Sequence, residues 1–484
     1  ENPIAGEQMF YRVVMRVGFQ STLKATNSFT SGVPADTRLV LGKNPRPIGE
    51  DAVLPGPPTE GSVSPAPGEG GGGIDGDGFF GGVLAPGVVD SSDGLVREGG
   101  DDWIIFPGPG PDPDPGIQPG ANLLTAGEWV DHSAWNEFQE FVSAYPDSFT
   151  EWQLDFQRRI IIECLDTDGN PLHDVKITTA DDCILPQSLD LEAGFELGTT
   201  HNDGRIALFP TDGLISPPRE LDDETPNCFD EGLLHLVVTV DEEQYETELP
   251  LTEDNDQTWT LAVPLKKDSQ ARFLDLAFVV DVTGSMGDEL QFLREELLDI
   301  VDQINEEEEA IDTLRVGLVF YRDRGDRIIT QVHDFTEDIP AAQEIIAGIR
   351  ATGGGDFPES VNEALFRAMR DLSWRPENTV RLSFLLADAP PNYYEDEQYI
   401  YRDALLDAQQ KGIKLIPVAG SGIDKTTEYL FRHLAVSTMG KYIFITDDSG
   451  IGGSHIDPDI EQPTVETLNT IMVRTILEEY RKGL

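Results

Sequence analysis

The second half of the chain alternates between short apolar runs and longer stretches with helical periodicity. The run at residues 274–280 is rich in Val, Leu and Phe and hardly alternates with polar positions, which is typical of a strand buried on both faces of a parallel sheet. Further strands are predicted at residues 314–321, 328–335, 380–387, 413–419 and 442–446. With predicted helices in most of the intervals, the pattern indicates one α/β doubly wound, Rossmann-like domain over residues 271–484, which we expect to fold on its own.

Between residues 158 and 268 the pattern changes to short apolar runs separated by turn sequences. The runs lie at residues 160–164, 175–178, 205–209, 234–240, 245–249 and 259–265. Their spacing predicts an all-β sandwich and is similar to that of transthyretin-like and carboxypeptidase-regulatory-like modules. The acidic turn that contains Asp166 and Asp168 is more simply explained as a turn between strands than as a calcium site.

The remaining chain forms a Gly/Pro-rich N-terminal region and an aromatic segment. In residues 1–43, positions 9–20 alternate between apolar and polar, which predicts a half-buried strand. That strand either begins a small N-terminal sheet, the interpretation we favour, or adds to another domain or another copy of the chain. Residues 44–120 have the Gly, Pro and Asp content of a linker. Residues 121–157 are aromatic at helical spacing and predict a helical segment.

Oxygen-bearing side chains follow two of the predicted parallel strands. Asp281, Thr283 and Ser285 come at the end of the first strand, and Asp388 follows the strand at residues 380–387. Ligands of open α/β sheets bind at the carboxyl ends of the strands, so these side chains are expected to converge. Carboxylates and hydroxyls are the ligands that a hard cation such as Mg²⁺ prefers. The alternative, that Asp281 and Ser285 only cap the following helix, explains fewer of these residues.

The segment Asp281-Val-Thr283-Gly-Ser285-Met resembles the metal-ion-dependent adhesion site of von Willebrand factor type A domains, and residues 124–129 resemble a motif of bacterial surface proteins that carry such a domain. The resemblance implies a Mg²⁺, Mn²⁺ or Ca²⁺ ion that Asp281, Thr283 and Ser285 contact, with Asp388 completing the site through water. It also implies that an open coordination position takes an Asp or Glu carboxylate from a partner protein.

A third loop departs from the family pattern. The family's loop threonine would fall on Glu359, whereas Thr352 and Asp356 lie in a longer, glycine-rich loop. The third ligand is therefore Asp356 or Glu359, with Thr352 a weaker candidate. We expect Asp356, because it follows three glycines that let the backbone bend toward the ion. Glu359 is expected in the first turn of the next helix, where the helix dipole already stabilises its charge.

Composition narrows the partners that the chain can have. The 484 residues carry a formal charge of −55, from 89 acidic against 34 basic residues, so the surface repels nucleic acid and anionic lipid. No apolar run approaches the roughly 18 residues of a membrane span. The start at Glu1 is consistent with removal of a signal peptide, and we expect a secreted or cell-surface protein. Cys164, Cys183 and Cys228 allow one disulfide or none.

Together these features predict a binding protein of the adhesion type that uses a divalent cation to capture a partner carboxylate. An alternative is a structural subunit of a surface layer or filament, in which the ion fastens the fold and residues 9–20 join copies of the chain. Enzymatic activity is not expected, because the motifs of these loops contain no Lys, Arg or His that would steady a phosphate or act as a base.

Overall fold

The computed structural model describes residues 9–10, 28–29, 37–40, 120–154, 156, 158–180, 196–209, 233–250, 254–266, 273–306, 311, 313–355, 357–394, 396–460 and 463–482. All of them belong to one compact unit, residues 1–45 and 106–484. A second unit, residues 46–105, contains none of the described residues.

The described strands, in chain order, are β1 (Met9–Phe10), β2 (Ser28–Phe29), β3 (Thr37–Val40), β4 (Thr125–Trp129), β5 (Arg159–Leu165), β6 (Lys176–Thr179), β7 (Glu196–Thr199), β8 (Arg205–Leu208), β9 (Leu233–Val240), β10 (Glu243–Pro250), β11 (Asp256–Ala262), β12 (Phe273–Asp281), β13 (Thr313–Tyr321), β14 (Thr330–Thr336), β15 (Thr379–Ala387), β16 (Ile413–Ala419), β17 (Tyr442–Ile445) and β18 (Val465–Thr467).

The described α-helices are α1 (Trp135–Ala144), α2 (Pro146–Trp152), α3 (Leu290–Glu306), α4 (Ile339–Ala347), α5 (Val361–Phe366), α6 (Tyr401–Lys411), α7 (Lys425–Ser437) and α8 (Leu468–Arg481). In this part of the chain no helix combines the length and the apolar character that crossing a membrane requires.

The largest sheet has eight strands in the order β14-β13-β12-β15-β16-β17-β4-β18. The five strands from β13 to β17 in this order run parallel, while β14, β4 and β18 pair antiparallel with their neighbours. Side chains of β12 alternate between two cores: Leu276 and Phe278 face the core that contains α3 and α8, whereas Ala277 and Val279 face the core that contains α6 and α7. The predicted doubly wound α/β architecture is confirmed, because helices cover both faces of a largely parallel sheet.

Two strands of this sheet were not predicted. All six predicted strands are present, but β4 lies between β17 and β18 and comes from residues 121–157, which the sequence assigned to a helical segment. The chain leading into β4 is fixed by Glu296 of α3, whose carboxylate accepts the backbone N–H groups of Asn122, Leu123 and Leu124 at 2.8, 2.9 and 3.2 Å. A domain boundary at residue 271 therefore leaves out a strand of the sheet.

The helical part of the aromatic segment packs on α7. Trp135, Phe138 and Phe141 of α1 are buried, and the Phe138 ring lies 5.0 Å from the ring of His433. Trp152, at the end of α2, donates through its indole N–H to the carbonyl of Thr426 at 2.8 Å. The helical prediction for these aromatic residues is confirmed, and their buried face is occupied by the C-terminal part of the chain.

Upstream of β12 the structure contains two four-stranded sheets, in the orders β10-β9-β6-β7 and β3-β11-β5-β8. Their buried side chains continue the core that contains α6 and α7. Asp174 and Arg381, both buried, form an ion pair at 2.9 Å between this region and β15. The sandwich arrangement and the likeness to transthyretin-like modules stay predictions from the sequence.

Several smaller predictions concern residues of the upstream region. Asp166 accepts the N–H groups of Asp168 and Asn170, both at 2.8 Å, as the turn interpretation requires. Cys164 is a buried free thiol, while Cys183 and Cys228 lie outside the described residues. Of the strand predicted at residues 9–20, only residues 9–10 are described, as β1 paired with β2. Self-association through this strand stays a prediction.

The position of β4 is tested by substituting Gly127. A Cβ at this residue would overlap the buried Phe444 ring of β17, so we expect Gly127→Ala to destabilise the chain by about 1–3 kcal/mol. Denaturant unfolding monitored in the full chain measures the change. Gly120→Ala is the matched control, because its Cβ would meet only Leu123 at 3.6 Å. Equal stabilities of the two variants would contradict the placement of β4 against β17.

Candidate metal centre

Three buried carboxylates converge at the carboxyl edge of the large sheet. Asp281 is the last residue of β12, Asp388 directly follows the neighbouring parallel strand β15, and Glu359 lies in the loop before α5. Their exposed fractions are 0%, 4% and 3%. Because β12 and β15 are adjacent and parallel, their ends place the two aspartates side by side. The sequence predicted that Asp281 and Asp388 lie close together, and the pairing of these two strands places them at neighbouring strand ends.

Asp281 organises the loop that follows it. Its Oδ1 atom accepts hydrogen bonds from the backbone N–H and the hydroxyl of Thr283, at 2.8 and 2.7 Å. The Thr283 Oγ1 atom lies 3.0 Å from Oγ of Ser285, which is exposed. The other carboxylate oxygen of Asp281 is buried and has no hydrogen-bond partner. The loop therefore presents one free carboxylate oxygen and two hydroxyls.

Asp388 and Glu359 each present a buried oxygen without a partner as well, Oδ1 in Asp388 and Oε2 in Glu359. The backbone of Glu359 is tied to the loop after Asp388, since its N–H donates to the Pro390 carbonyl at 2.9 Å and its carbonyl accepts from Asn392 at 2.8 Å. These two bonds hold Glu359 beside the Asp388 loop. Buried carboxylate oxygens without a partner are costly when the groups are ionised, and either protonation or a bound cation lowers that cost.

The structure corrects the predicted surroundings of Glu359. Helix α5 begins at Val361 with Ser360 at its N-cap position, so Glu359 precedes the helix and does not lie in its first turn. The helix-dipole reason for preferring Asp356 over Glu359 is therefore wrong. Asp356 lies outside the described residues, and its assignment as the third ligand stays a prediction.

The glycine-rich loop is fitted closely against the site. Gly354 has a positive φ of 74°, and a Cβ there would lie 2.8 Å from Glu359 Oε1 and 3.1 Å from Thr283 Cβ. The N–H of Gly354 donates to Asp326 at 2.9 Å, and the N–H of Thr352 donates to the Val282 carbonyl at 2.9 Å. The glycine permits both the left-handed backbone and the close approach of Glu359 to the Asp281 loop.

Burial raises the pKa of all three carboxyl groups, and repulsion by neighbouring carboxylates adds to the shift in Asp388 and Glu359. Desolvation is the largest cause in each case, and it raises the pKa of Asp281 to about 6, although the hydrogen bonds from Thr283 oppose the shift. The charge of Asp281 adds to the desolvation that raises the pKa of Asp388 to about 7 and that of Glu359 to about 9. A cation bound between these groups would offset both effects.

The donor set fits a hard divalent cation. Asp281, Asp388 and Glu359 supply carboxylate oxygens, and Thr283 and Ser285 supply hydroxyls, which together match the preferences of Mg²⁺, Mn²⁺ or Ca²⁺. In the described part of the chain no group of three or more His, Cys, Asp or Glu side chains is placed to hold an ion by itself. An ion at this edge of the sheet would therefore depend on the hydroxyls and on water.

Three residues at the end of β13 that lie near the site were not predicted from the sequence. Tyr321, the last residue of β13, is fully buried, and burial and the charge of Asp281 raise the pKa of its hydroxyl. The positive charge of Arg322, the next residue, favours the ionised form of Asp281. Asp323 accepts a hydrogen bond from Ser360 at 3.1 Å. Their position at the end of a predicted strand was the available signal.

A second missed group surrounds Glu289. Its carboxylate is fully buried, accepts the N–H of Ser421 at 2.8 Å and lies 2.8 Å from Nε2 of His455. The other ring nitrogen of His455 lies 2.8 Å from Asp447. Glu289 therefore joins the loop after β16 to the loop after β17.

An open groove of about 400 Å³ lies above the candidate ligands. It is lined by Ser285, Phe357, Asp388, Ala389, Ser421, Gly422, Gly453 and Ser454. Phe357 is 45% exposed, and the described residues of the lining include no basic side chain. The groove gives solvent access to Asp388 and Ser285.

The tripeptide Arg324-Gly-Asp326 is engaged within the chain. Arg324 lies 2.5 Å from Asp396 and 3.9 Å from the centre of the Tyr394 ring, and Asp326 binds Gly354. Its two charged side chains therefore hold together the loops around the site.

A family model described as von Willebrand factor A domain matches residues 275–450. Over 126 residues the chain is 40% identical to a putative ariadne-like RING finger protein of Acanthamoeba polyphaga mimivirus, a match that covers 26% of this chain and 12% of that protein. Over 177 residues it is 27% identical to the alpha-protein kinase vwkA of Dictyostelium discoideum, covering 36% of this chain and 27% of the kinase. The matched segments are thus a minor part of both relatives.

Among solved structures, the chain is similar to the pilus adhesin SpaC from Lactobacillus rhamnosus GG in its open conformation. The TM-score is 0.32 and the sequence identity 13%, over 45% of this chain and 31% of the adhesin.

The raised pKa of Asp281 gives a prediction for the protein without metal. A folded-state pKa above the unfolded value means that the stability contributed by this carboxyl is present at low pH and is lost as pH rises through about 6. We therefore expect Asp281→Asn to stabilise the chain in chelator at pH 8, by about 1–3 kcal/mol, and to have little effect at pH 4. Denaturant unfolding at the two pH values measures this difference.

Asp334→Asn is the control for this prediction. Hydrogen bonds from Ser373 lower the pKa of Asp334, so its removal has the opposite sign and stabilises the chain at neither pH. Destabilisation by Asp281→Asn at pH 8 would contradict the electrostatic account of the site.

Proposed function

Because residues 275–450 form a von Willebrand factor A domain, we propose that the chain is a binding protein of the adhesion type. Asp281, Thr283 and Ser285 hold a divalent cation, Asp388 and an acid of the third loop complete the site, and the ion takes a carboxylate from a partner protein. The observation that carries this proposal is the set of three buried, unpartnered carboxylate oxygens at the sheet edge, beneath an open groove.

The residues around the groove support carboxylate capture. Carboxylates in protein complexes are commonly bound by Arg or Lys, and neither is among the described residues that line this groove. The acidic side chains of the site would repel an incoming carboxylate unless a cation offsets their charge. Ser285 is exposed and, like Asp388, lines the groove where a partner group would arrive.

Glu359 is the stronger third-loop ligand on the described geometry. It is buried, its Oε2 atom is unpartnered, and the charges of Asp281 and Asp388 both raise its pKa. The sequence favours Asp356 instead, so the two acids make separate predictions.

A second candidate function is favoured by this same residue. If Asp281, Asp388 and Glu359 are all ionised, their three charges exceed the two of the cation, and the attraction for a further carboxylate falls. The ion would then fasten the fold of a structural subunit. Carboxylate binding separates this function from adhesion, because only the adhesion proposal requires it.

We place the protein outside the cell and assign it no enzymatic activity. The surface location follows from the binding function, and the described groove lining contains no Lys, Arg or His that would steady a phosphate. The kinase and RING finger activities named for the two relatives belong to proteins of which the matches cover 27% and 12%.

The third-loop ligand is tested through the pH dependence of metal affinity. A bound cation displaces protons from Asp388 and Glu359, so Mg²⁺ affinity should rise with pH, by up to about tenfold per unit for each proton displaced. We expect Glu359→Gln to weaken binding at pH 8 at least about tenfold, roughly 1.4 kcal/mol, and to remove the rise above pH 7. Calorimetric titration measures both effects. A larger loss in Asp356→Ala would restore the assignment made from the sequence.

Carboxylate capture is tested with arrayed peptides that carry one central Asp, Glu, Asn or Gln. We expect the full chain to bind the Asp and Glu peptides in Mg²⁺ and to lose that binding in chelator, because the acidic site requires the cation. Asp281→Ala should abolish the binding, whereas the control Asp334→Ala, remote from the groove lining, should retain it. Binding that is equal for acid and amide peptides would refute capture.

A further inference from the structure

The groove above the metal centre has a composition that restricts its partner. Its described lining consists of serines, glycines, one alanine, one aspartate and one aromatic residue, Phe357. The loops around it add exposed acids, since Asp447 is 67% exposed and Asp448 is also exposed. The whole chain carries a net charge of −55. A ligand therefore approaches the groove through a negative electrostatic potential. Only at the bound cation would this potential be offset enough for a carboxylate to bind.

Two loops that bound the groove are fixed before any ligand arrives. The N–H of Gly422 donates to the Ser454 carbonyl at 3.1 Å, which joins the loop after β16 to the loop after β17. Beneath them, the buried Glu289 binds the N–H of Ser421 and lies against His455. A Cβ on Gly452 would lie 2.5 Å from Glu289 Oε1, so the loops pack closely on this carboxylate. A preformed groove lowers the entropic cost of binding an extended segment.

Phe357 supplies an apolar contact at the mouth of the groove. It is one of five large apolar side chains that are well exposed in the described part of the chain, with Leu123, Phe149, Tyr393 and Val465. Of these five, Phe357 lines the groove. Exposed aromatic residues beside a preformed groove are typical anchors of protein interfaces.

We propose that this groove binds a segment of a basic partner protein in which a single Asp or Glu is next to an apolar side chain and is flanked by Lys or Arg. The inference rests on the proposed carboxylate capture and specifies its partner. The partner's acid binds at the open coordination position of the cation. Its apolar neighbour packs on Phe357, and the flanking basic residues interact with the acidic loops. A second copy of this chain does not meet the description, because two bodies of charge −55 repel each other at long range.

The test uses the full chain in Mg²⁺ and surfaces coated with defined peptides. Each peptide contains a central Asp-Leu, flanked either by lysines or by glutamates, and a third peptide has Asn-Leu between lysines. At low ionic strength we expect the Lys-flanked Asp peptide to bind at least about tenfold more tightly than the Glu-flanked one, and the difference to shrink in high salt. The Asn peptide should lose the metal-dependent part of the binding.

Substitution of Phe357 isolates the apolar contact. We expect Phe357→Ala to weaken binding of the Asp-Leu peptide at least about fivefold, to leave an Asp-Ser peptide unaffected, and to leave calorimetric Mg²⁺ affinity unchanged. Phe149→Ala is the matched control, an aromatic residue of α2 that is 41% exposed and does not line the groove.

The outcomes separate this inference from the proposal beneath it. Equal, metal-dependent binding of the Lys-flanked and Glu-flanked Asp peptides would overturn the basic partner and leave carboxylate capture standing. Equal binding of the Asp and Asn peptides between lysines would overturn the inference as non-specific attraction. No metal-dependent binding of any Asp peptide, with Mg²⁺ affinity intact, would overturn both.

Discussion

Burial of like charges at one edge of a parallel sheet is the constraint on which this structure depends. The ends of β12 and β15 bring Asp281 and Asp388 together, and the Glu359 loop adds a third carboxylate in the same region. Desolvation raises the pKa of each group, repulsion adds to the shift in Asp388 and Glu359, and one oxygen of each group remains without a hydrogen-bond partner. The divalent cation that we propose would lower the cost of burying these charges, since a hard cation matches these oxygens.

The region upstream of β12 is part of the same body as the sheet that carries the site. Strand β4 lies between β17 and β18, and buried ion pairs cross between the two regions, such as Arg432 with Asp131 at 2.6 Å. The chain has 34 basic residues against 89 acidic ones, yet it buries several of the basic ones at these contacts. Breaking a buried pair leaves an uncompensated charge and costs about 3–5 kcal/mol. The upstream region also reaches the site, because Trp152 stacks on Tyr393, in the loop that follows Asp388.

The sequence predicts those parts of the fold that depend on local patterns. The apolar run that ends in Asp281 and the run before Asp388 indicate buried parallel strands, and their ends locate the site. The sequence did not predict β4, because Thr-Ala-Gly-Glu-Trp lacks the alternation of apolar and polar residues that is typical of a strand. Its partners lie more than three hundred residues away in the chain. The role of Glu296 could not be predicted either, because only the folded chain brings three backbone N–H groups to its carboxylate. The burial of Glu359 depends on contacts with the loop that follows Asp388, and no pattern within its own loop predicts those contacts.

In the function that we propose, the carboxylate of Glu359 and the net charge of the whole chain both affect how strongly a partner is attracted. A third carboxylate strengthens the hold on a cation and reduces the positive charge that remains to attract a partner's carboxylate. A site of this kind forms a weak local bridge, and the affinity has to come from elsewhere in the interface. The excess of acidic residues supplies that attraction for a partner of opposite charge, over distances that the metal bridge does not reach. The weak bond between the proposed ion and a carboxylate, and the net negative charge of the chain, therefore favour the same proposed partner. That partner is a basic surface that presents one carboxylate.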